Sequence, residues 1–145
     1  MKIACLLEKD AEKIVELYKG NFSDGWNIDM ILSAYKNQRF IALGAFIEDE
    51  LIGVITCDFN EFDADIEGIV VKKEYRNKGV GALLISELEK KLKEKNKEKI
   101  FLEVRKSNLV AQKLYEKMGF TIISQRKGYY CDNEDAVVMA KELKV

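Results

Sequence analysis

The stretch best placed to do chemistry is the apolar run Ile69-Val70-Val71, followed by Arg76-Asn77-Lys78-Gly79-Val80-Gly81 and then a helical pattern. A strand that feeds a glycine-containing turn at a helix N-terminus leaves amide N–H groups without intrahelical partners. Those donors, with the positive end of the helix dipole, suit an anionic phosphate. Glycine lets the backbone approach that phosphate with no Cβ in the way, and Arg76 and Lys78 add positive charge. The same two glycines would equally serve a plain tight turn. Neither of the other familiar phosphate loops, GxxxxGK[ST] or GxGxxG, occurs in the chain. What remains is the pattern [Q/R]-x-x-G-x-G.

Further candidates stand on the segments that follow. In Ile100 to Arg105, strand alternation puts Ile100, Leu102 and Val104 on one face and Phe101, Glu103 and Arg105 on the other. A carboxylate such as Glu103 can act as a general base, directly or through a water. A partly solvated Glu103 paired with Arg105 would look the same in sequence. Tyr115 is adjacent to Leu114 and one turn after Ala111. Its phenol can donate a proton or a hydrogen bond without a large shift of its own pKa, or its ring can simply fill core. Asn108 follows Ser107, the expected cap of that helix, and its amide can reach a ligand or help the cap. Tyr129 and Tyr130 lie between the last two strands, and Phe22 and Trp26 lie in an early helix-loop region. Such aromatics either anchor a partner or pack.

The elements that must position these residues follow from the pattern of apolar positions. Strands are expected at Lys2–Leu7, Phe40–Ile47, Leu51–Phe59, Ala64–Val71, Ile100–Arg105, Phe120–Gln125 and Asp135–Glu142. Helical spacing runs through Asp10–Tyr18, and Asn27 or Asp29 can cap a second helix reaching Tyr35. After Gly81 the stripe Leu84, Ile85, Leu88, Leu92 marks a long helix, and Lys90 to Lys99 is its solvated, mixed-charge end. In the next helix Val110, Leu114 and Met118 share a face, and Gly119 ends it. A hairpin beside a βαβ crossover predicts an α+β domain around one mixed sheet.

Composition removes several chemistries. The chain has 145 residues, the size of one domain, so residues 1–145 are expected to form a single unit. With His absent, a His-based triad or a His-ligated metal is excluded, and the three scattered cysteines (Cys5, Cys57, Cys131) form no CxxC pair. No metal is therefore expected. The 24 basic and 25 acidic residues give a net charge of −1, which argues against a general grip on nucleic acid or an anionic membrane. Neither a leader nor a roughly 20-residue membrane span stands out, so the cytoplasm is the expected compartment.

With these residues in order, the chain resembles the GNAT superfamily of N-acetyltransferases. In that family the [Q/R]-x-x-G-x-G loop binds the pyrophosphate of acetyl-coenzyme A. The resemblance runs from Ile3 to Leu143 in element order and is strongest from Glu67 to Met139. Leu102-Glu103-Val104-Arg105-Lys106-Ser107-Asn108 and Ala111-Gln112-Lys113-Leu114-Tyr115-Glu116-Lys117-Met118-Gly119-Phe120 look like the RimI-type branch, the ribosomal-protein alanine N-acetyltransferases. Arg126-Lys127-Gly128-Tyr129-Tyr130, followed by Glu134-Asp135-Ala136 and Met139, is similar to the same branch.

The resemblance implies a mixed, mostly antiparallel sheet of about seven strands flanked by about four helices, splayed at the cofactor strand. It implies that acetyl-coenzyme A is held by the backbone of Ile69, Val70 and Val71, by Arg76, Asn77, Lys78, Gly79, Val80 and Gly81, and by Asn108. Glu103 would be the proton acceptor, Tyr115 the acid, and Tyr129, Tyr130 and Trp26 the acceptor-binding residues. The implied reaction is direct transfer in a ternary complex to a protein N-terminal α-amine, as on the N-terminal alanine of a small-subunit ribosomal protein, by a monomer or weak homodimer. An α-amine, with a pKa near 8, asks less of a base than a lysine near 10.4. Two rivals stay open: a GNAT enzyme for a small amine, amino acid, antibiotic or lysine side chain, and a non-catalytic coenzyme A-binding sensor module. One departure stands out. Asp65-Ile66-Glu67-Gly68-Ile69 replaces a more apolar run in the branch, so Glu67 is either an extra acidic group at the site or a rim residue.

Overall fold

The computed structural model describes residues 1–21 and 27–143. Seven strands form one sheet: β1 (Lys2–Cys5), β2 (Phe40–Ile47), β3 (Glu50–Phe59), β4 (Asp63–Val71), β5 (Lys99–Arg105), β6 (Thr121–Arg126) and β7 (Ala136–Glu142). Four α-helices accompany them: α1 (Ala11–Asn21), α2 (Ile28–Lys36), α3 (Val80–Glu94) and α4 (Leu109–Lys117). The strand order is β1-β2-β3-β4-β5-β7-β6. Every neighbouring pair is antiparallel except β4 and β5, which are parallel and joined across the sheet by α3. The sequence-based expectation of a mixed, mostly antiparallel α+β sheet holds.

Helices cover both faces. On one, Leu84, Ile85, Leu88 and Leu92 of α3 are fully buried in one core with Ile55, Ile66, Ile100 and Leu102. Each such side chain contributes about 1.5–3 kcal/mol relative to exposure. On the other, Ile14 and Tyr18 of α1 and Ile31 of α2 pack with Ala42, Val54 and Val70. Asn27 caps α2, its side chain accepting the Met30 N–H at 2.9 Å. The Lys141 ammonium donates to the Met118 carbonyl at 2.6 Å and pairs with Glu89, tying β7 to α3 and to the end of α4.

Two irregularities of β4 shape the molecule. Its pairing with β5 covers only four positions, from Asp63↔Lys99 to Ile66↔Leu102. Beyond them the β5-facing edge of residues 67–71 has no strand partner among the described residues, and the β4–β5 ladder ends. Opposite, the register with β3 jumps from Thr56↔Gly68 to Cys57↔Ile66, which leaves Glu67 as the extra residue of a bulge. A bulge re-aims side chains and bends its strand. Helix α1 seats it: the Tyr18 hydroxyl and Thr56 Oγ1 share a buried hydrogen bond of 2.7 Å, and a Cβ on Gly68 would run into that hydroxyl.

Several boundaries move. β1 ends at Cys5 because the Leu7 N–H turns back to the Asp10 carboxylate at 2.8 Å. Helix α1 continues past Tyr18 to Asn21. The cap of α4 is Asn108 rather than Ser107: Asn108 Oδ1 accepts the Ala111 N–H at 3.1 Å, while the Ser107 N–H goes to Glu134 at 2.9 Å. The face of α4 turns with it. Val110 is 76% exposed, while Gln112 and Tyr115 are buried. The cause is the Gln112 amide, which donates to the Arg105 and Lys106 carbonyls and draws that face against the end of β5. Phe120 falls outside β6 and is buried edge-on to Tyr115, with ring centroids 6.0 Å apart.

Candidate active site

The end of β4 and the start of α3 form one half of the site. Asn77 and Gly79 both adopt left-handed backbone, with φ of 61° and 83°. Gly79 is the N-cap of α3, without a side-chain cap hydrogen bond and without an acidic residue in the helix's first turn. A Cβ built on Gly79 would meet nothing within 4 Å. Glycine is therefore needed there for its backbone, and the space before the helix N-terminus is open. Gly81 has a different task, since its Cβ would press on Leu114 Cδ2 at 3.2 Å where α3 meets α4. The Val80 side chain is buried core, so only its backbone faces the opening. Arg76 reaches back and donates Nε–H to the Val71 carbonyl at 2.9 Å, and Lys78 lies 5.9 Å from the Tyr75 ring centroid. Val70 is buried in the α1–α2 core, while Ile69 and Val71 pack against the other. What these three offer the gap is the free edge of their backbone.

The other half is made of side chains. Glu103 stands one residue beyond the last β4–β5 pair, at the mouth of the splay, and is half-buried with no ion pair among the described residues. The alternation of β5 is as expected, with Ile100, Leu102 and Val104 buried on the opposite face. Arg105 is engaged elsewhere: it pairs with Asp132 at 2.9 Å and Glu134 at 2.8 Å, and its guanidinium sits 4.2 Å from the Tyr130 ring centroid. Hydrogen bonds from Ser107 and then from Arg105 hold the Glu134 carboxyl down to about 2. The loop between β6 and β7 is thereby pinned beside β5. It carries Tyr129 and Tyr130 edge-to-face at 5.0 Å, with Arg126 5.4 Å from the Tyr129 ring centroid. Tyr129 is 47% exposed. Burial and the Glu103 charge raise its pKa.

Tyr115 of α4 is 6% exposed, with nothing among the described residues hydrogen-bonding its hydroxyl. Burial pushes its pKa up, so the phenol holds its proton. Asn108, at the start of the same helix, spends its side-chain oxygen on the cap and keeps its amide N–H groups to donate. Trp26 and Phe22 lie outside the described residues.

Sequence reasoning reached Glu67 but missed its companions. Asp58 of β3 is directly opposite Asp65 of β4, and the bulge adds Glu67. Asp65 and Glu67 both feel the Glu103 charge, and both feel Asp58. Burial, then the charges of Asp58 and Glu103, push the Asp65 carboxyl up to about 6. Burial and a hydrogen-bonding contact with the Asp58 carboxyl push Glu67 up to about 8. The available signal was the acid pair Asp65 and Glu67 inside an otherwise apolar strand. Asp58, read simply as the end of β3, gave none. The whole arrangement can place an anion at the α3 N-terminus, and it sets a carboxylate that can accept a proton, Glu103, at the mouth of the gap between β4 and β5.

Residues 11–120 match the family model described as the acetyltransferase (GNAT) family. Among curated proteins, the chain is 33% identical over 135 residues to the [ribosomal protein bS18]-alanine N-acetyltransferase of Haemophilus influenzae, covering 90% of this chain and 91% of that protein. It is 46% identical over 79 residues to the N-alpha-acetyltransferase of Saccharolobus solfataricus, a match that spans 54% of this chain and 47% of that one. Among solved structures, the ribosomal-protein-S18-alanine N-acetyltransferase of Escherichia coli superposes with a TM-score of 0.91 at 24% identity, over 99% of this chain and 94% of that one.

Proposed function

The chain belongs to the GNAT acetyltransferase family, and from that premise we propose that it moves acetyl from acetyl-coenzyme A to a protein N-terminal α-amine, with the N-terminal alanine of a small-subunit ribosomal protein as natural acceptor. The observation that carries this reading is Glu103, half-buried and without an ion pair at the mouth of the β4–β5 splay. The string Leu102-Glu103-Val104-Arg105 around it resembles the RimI-type branch, and the chain as a whole is 33% identical to a Haemophilus influenzae protein named for this reaction.

The α3 N-terminus fits the pyrophosphate of the donor. A left-handed glycine opens onto empty space, with an uncapped helix end behind it. The backbone of Asn77 to Gly81 would hold the phosphates, with Arg76 and Lys78 supplying charge. The free edge of Ile69, Val70 and Val71 and the Asn108 amide would hold the pantetheine arm. When bound, acetyl-coenzyme A supplies an activated thioester carbonyl and a thiolate leaving group. Glu103 takes the proton of the attacking amine, directly or through a water. An α-amine near pKa 8 already has a sizeable neutral fraction, so a carboxylate base suffices. Tyr115, kept protonated by burial, gives its proton at the departing sulfur. Tyr129 and Tyr130 flank the acceptor from the pinned loop.

Free-thiol release from acetyl-coenzyme A tests this against a small panel: an Ala-starting peptide, its N-terminally blocked form carrying an internal lysine, and a few polyamines and amino acids. Turnover confined to the free α-amine is the expected result. Turnover confined to lysine or small amines would overturn the acceptor assignment, and coenzyme A binding without turnover of any amine would favour the sensor module.

A further inference from the structure

Residues 127–135, between β6 and β7, contain no buried residue, yet they carry Tyr129 and Tyr130. Hydrogen bonds inside the loop set its shape. The Asn133 N–H donates to the Tyr130 carbonyl at 2.8 Å, the Tyr130 N–H to the Glu134 carbonyl at 3.2 Å, and the Gly128 N–H to the Asp135 carboxylate at 2.9 Å. These bonds do not fix where that shape sits on the molecule. A loop without a side chain in the core must take its place from polar contacts, and those converge on the end of β5.

Arg105 is the last residue of that strand. Its Nη1 group donates to Glu134 at 2.8 Å and to the two Asp132 oxygens at 3.0 and 2.9 Å, while the guanidinium lies 4.2 Å from the Tyr130 ring centroid. The Arg105 and Glu134 side chains are 23% and 24% exposed, so this pair is partly shielded from water; Asp132, at 62%, is solvated and adds less. The Lys106 and Ser107 N–H groups complete the seat, donating to the Asp135 carbonyl at 3.1 Å and the Glu134 carboxylate at 2.9 Å. Two residues earlier on the same face of β5 stands Glu103. The strand that carries the base therefore also holds the tyrosines.

Resting on the α-amine reading above, we infer that Arg105 is a positioning residue for the acceptor: it sets Tyr129 and Tyr130 in register with Glu103, so that the acceptor chain beyond its first residue is held while the α-amine meets the base. Arg105 itself touches no reacting atom. The task suits arginine. A planar guanidinium can bond carboxylates along its edge and present its face to a ring, whereas a lysine ammonium is a single point charge. Loss of that geometry leaves the loop's own hydrogen bonds and the buried core intact, so the protein folds while the tyrosines lose their place.

The test uses two acceptors, an Ala-starting hexapeptide and alaninamide, which has no chain beyond its first residue. Arg105→Lys should raise the peptide KM about 10-fold and change kcat by less than about 3-fold, the pattern of lost binding rather than lost chemistry. It should leave kcat/KM for alaninamide within about 3-fold of wild type, and acetyl-coenzyme A affinity unchanged. Glu134→Gln, which removes the ion pair, should raise the peptide KM in the same direction by about 3-fold. Equal losses on peptide and alaninamide would mean a general structural defect and overturn the inference. So would a loss confined to kcat, or a peptide KM that both folded variants leave unchanged. Each of those outcomes leaves the α-amine reading standing. Acetylation of lysine in place of every free α-amine by the wild-type protein would sink that reading, and this inference with it.

Discussion

On the proposed reading, the donor and acceptor halves of the site are built on opposite plans. The donor half is backbone: a left-handed Gly79, an uncapped α3 N-terminus and the unpaired edge of residues 69–71. Its side chains mostly serve the fold, with Val80 and Val70 buried and Arg76 fastened to the Val71 carbonyl. The acceptor half is side chains. Glu103, Glu67, Asp65 and Asp58 come from three strands, and Tyr129 from a loop that Arg105 pins. A backbone site tolerates many sequences so long as its glycine stays. A side-chain site changes character with every substitution. One fold can thus keep a fixed donor while its acceptor varies.

The sharpest break between the halves comes from Glu103→Gln. Loss of the base should lower kcat by roughly 10²–10³-fold and leave the affinity for acetyl-coenzyme A unchanged in a direct binding titration. A weakened donor affinity would mean the halves are not separable. Gly79→Glu should do the reverse. A side chain in left-handed backbone and a negative charge at the helix N-terminus together cost on the order of 2 kcal/mol, roughly 30-fold in donor affinity. Calorimetric titration of the folded variant measures it, and unchanged affinity would remove the phosphate cradle from the account.

A subtler contrast lies in pH. Glu67, at about 8 in the folded protein against an ordinary 4.5, binds more protons folded than unfolded between those values. Its contribution to stability is therefore complete below about pH 4.5 and is lost as the pH rises through 8. The melting temperature of Glu67→Gln relative to wild type should rise by about 2–4 °C between pH 5.5 and pH 8.5. Parallel melting curves would show the carboxyl to be solvated like any other. The smallest effect concerns the start of α4. Asn108→Ala should cost about 1 kcal/mol in a denaturant titration and Ser107→Ala much less, because Asn108 holds the cap.

The two plans also explain what could be read without coordinates. The donor half is local: strand, turn, glycines and helix follow one another from Ile69 to Leu84, and periodicity exposes them. Tyr115 and Glu103 were visible through their local strings. Asp58 was not, because its meaning depends on a cross-strand register and on a bulge that no local pattern announces. The α4 cap was placed one residue early because Ser107 is a good cap in isolation. Its N–H is claimed by Glu134, 27 residues away, while the Gln112 amide, bonded to the Arg105 and Lys106 carbonyls, decides which side of α4 is buried. Arg105 offered Glu103 as a near partner, yet its salt bridges to Asp132 and Glu134 reach across to the β6–β7 loop.

The central claim is that the Glu103 carboxylate serves an α-amine. Its most direct test is a single competition. One peptide carrying both a free N-terminal alanine and an internal lysine is incubated with the protein and acetyl-coenzyme A, and fragment mass spectrometry locates the acetyl group. The account predicts acetyl on the terminal nitrogen of the wild-type product, and a rate reduced roughly 10²-fold or more with Glu103→Gln. Acetyl on the lysine, or a terminal acetylation rate that Glu103→Gln leaves intact, would contradict it.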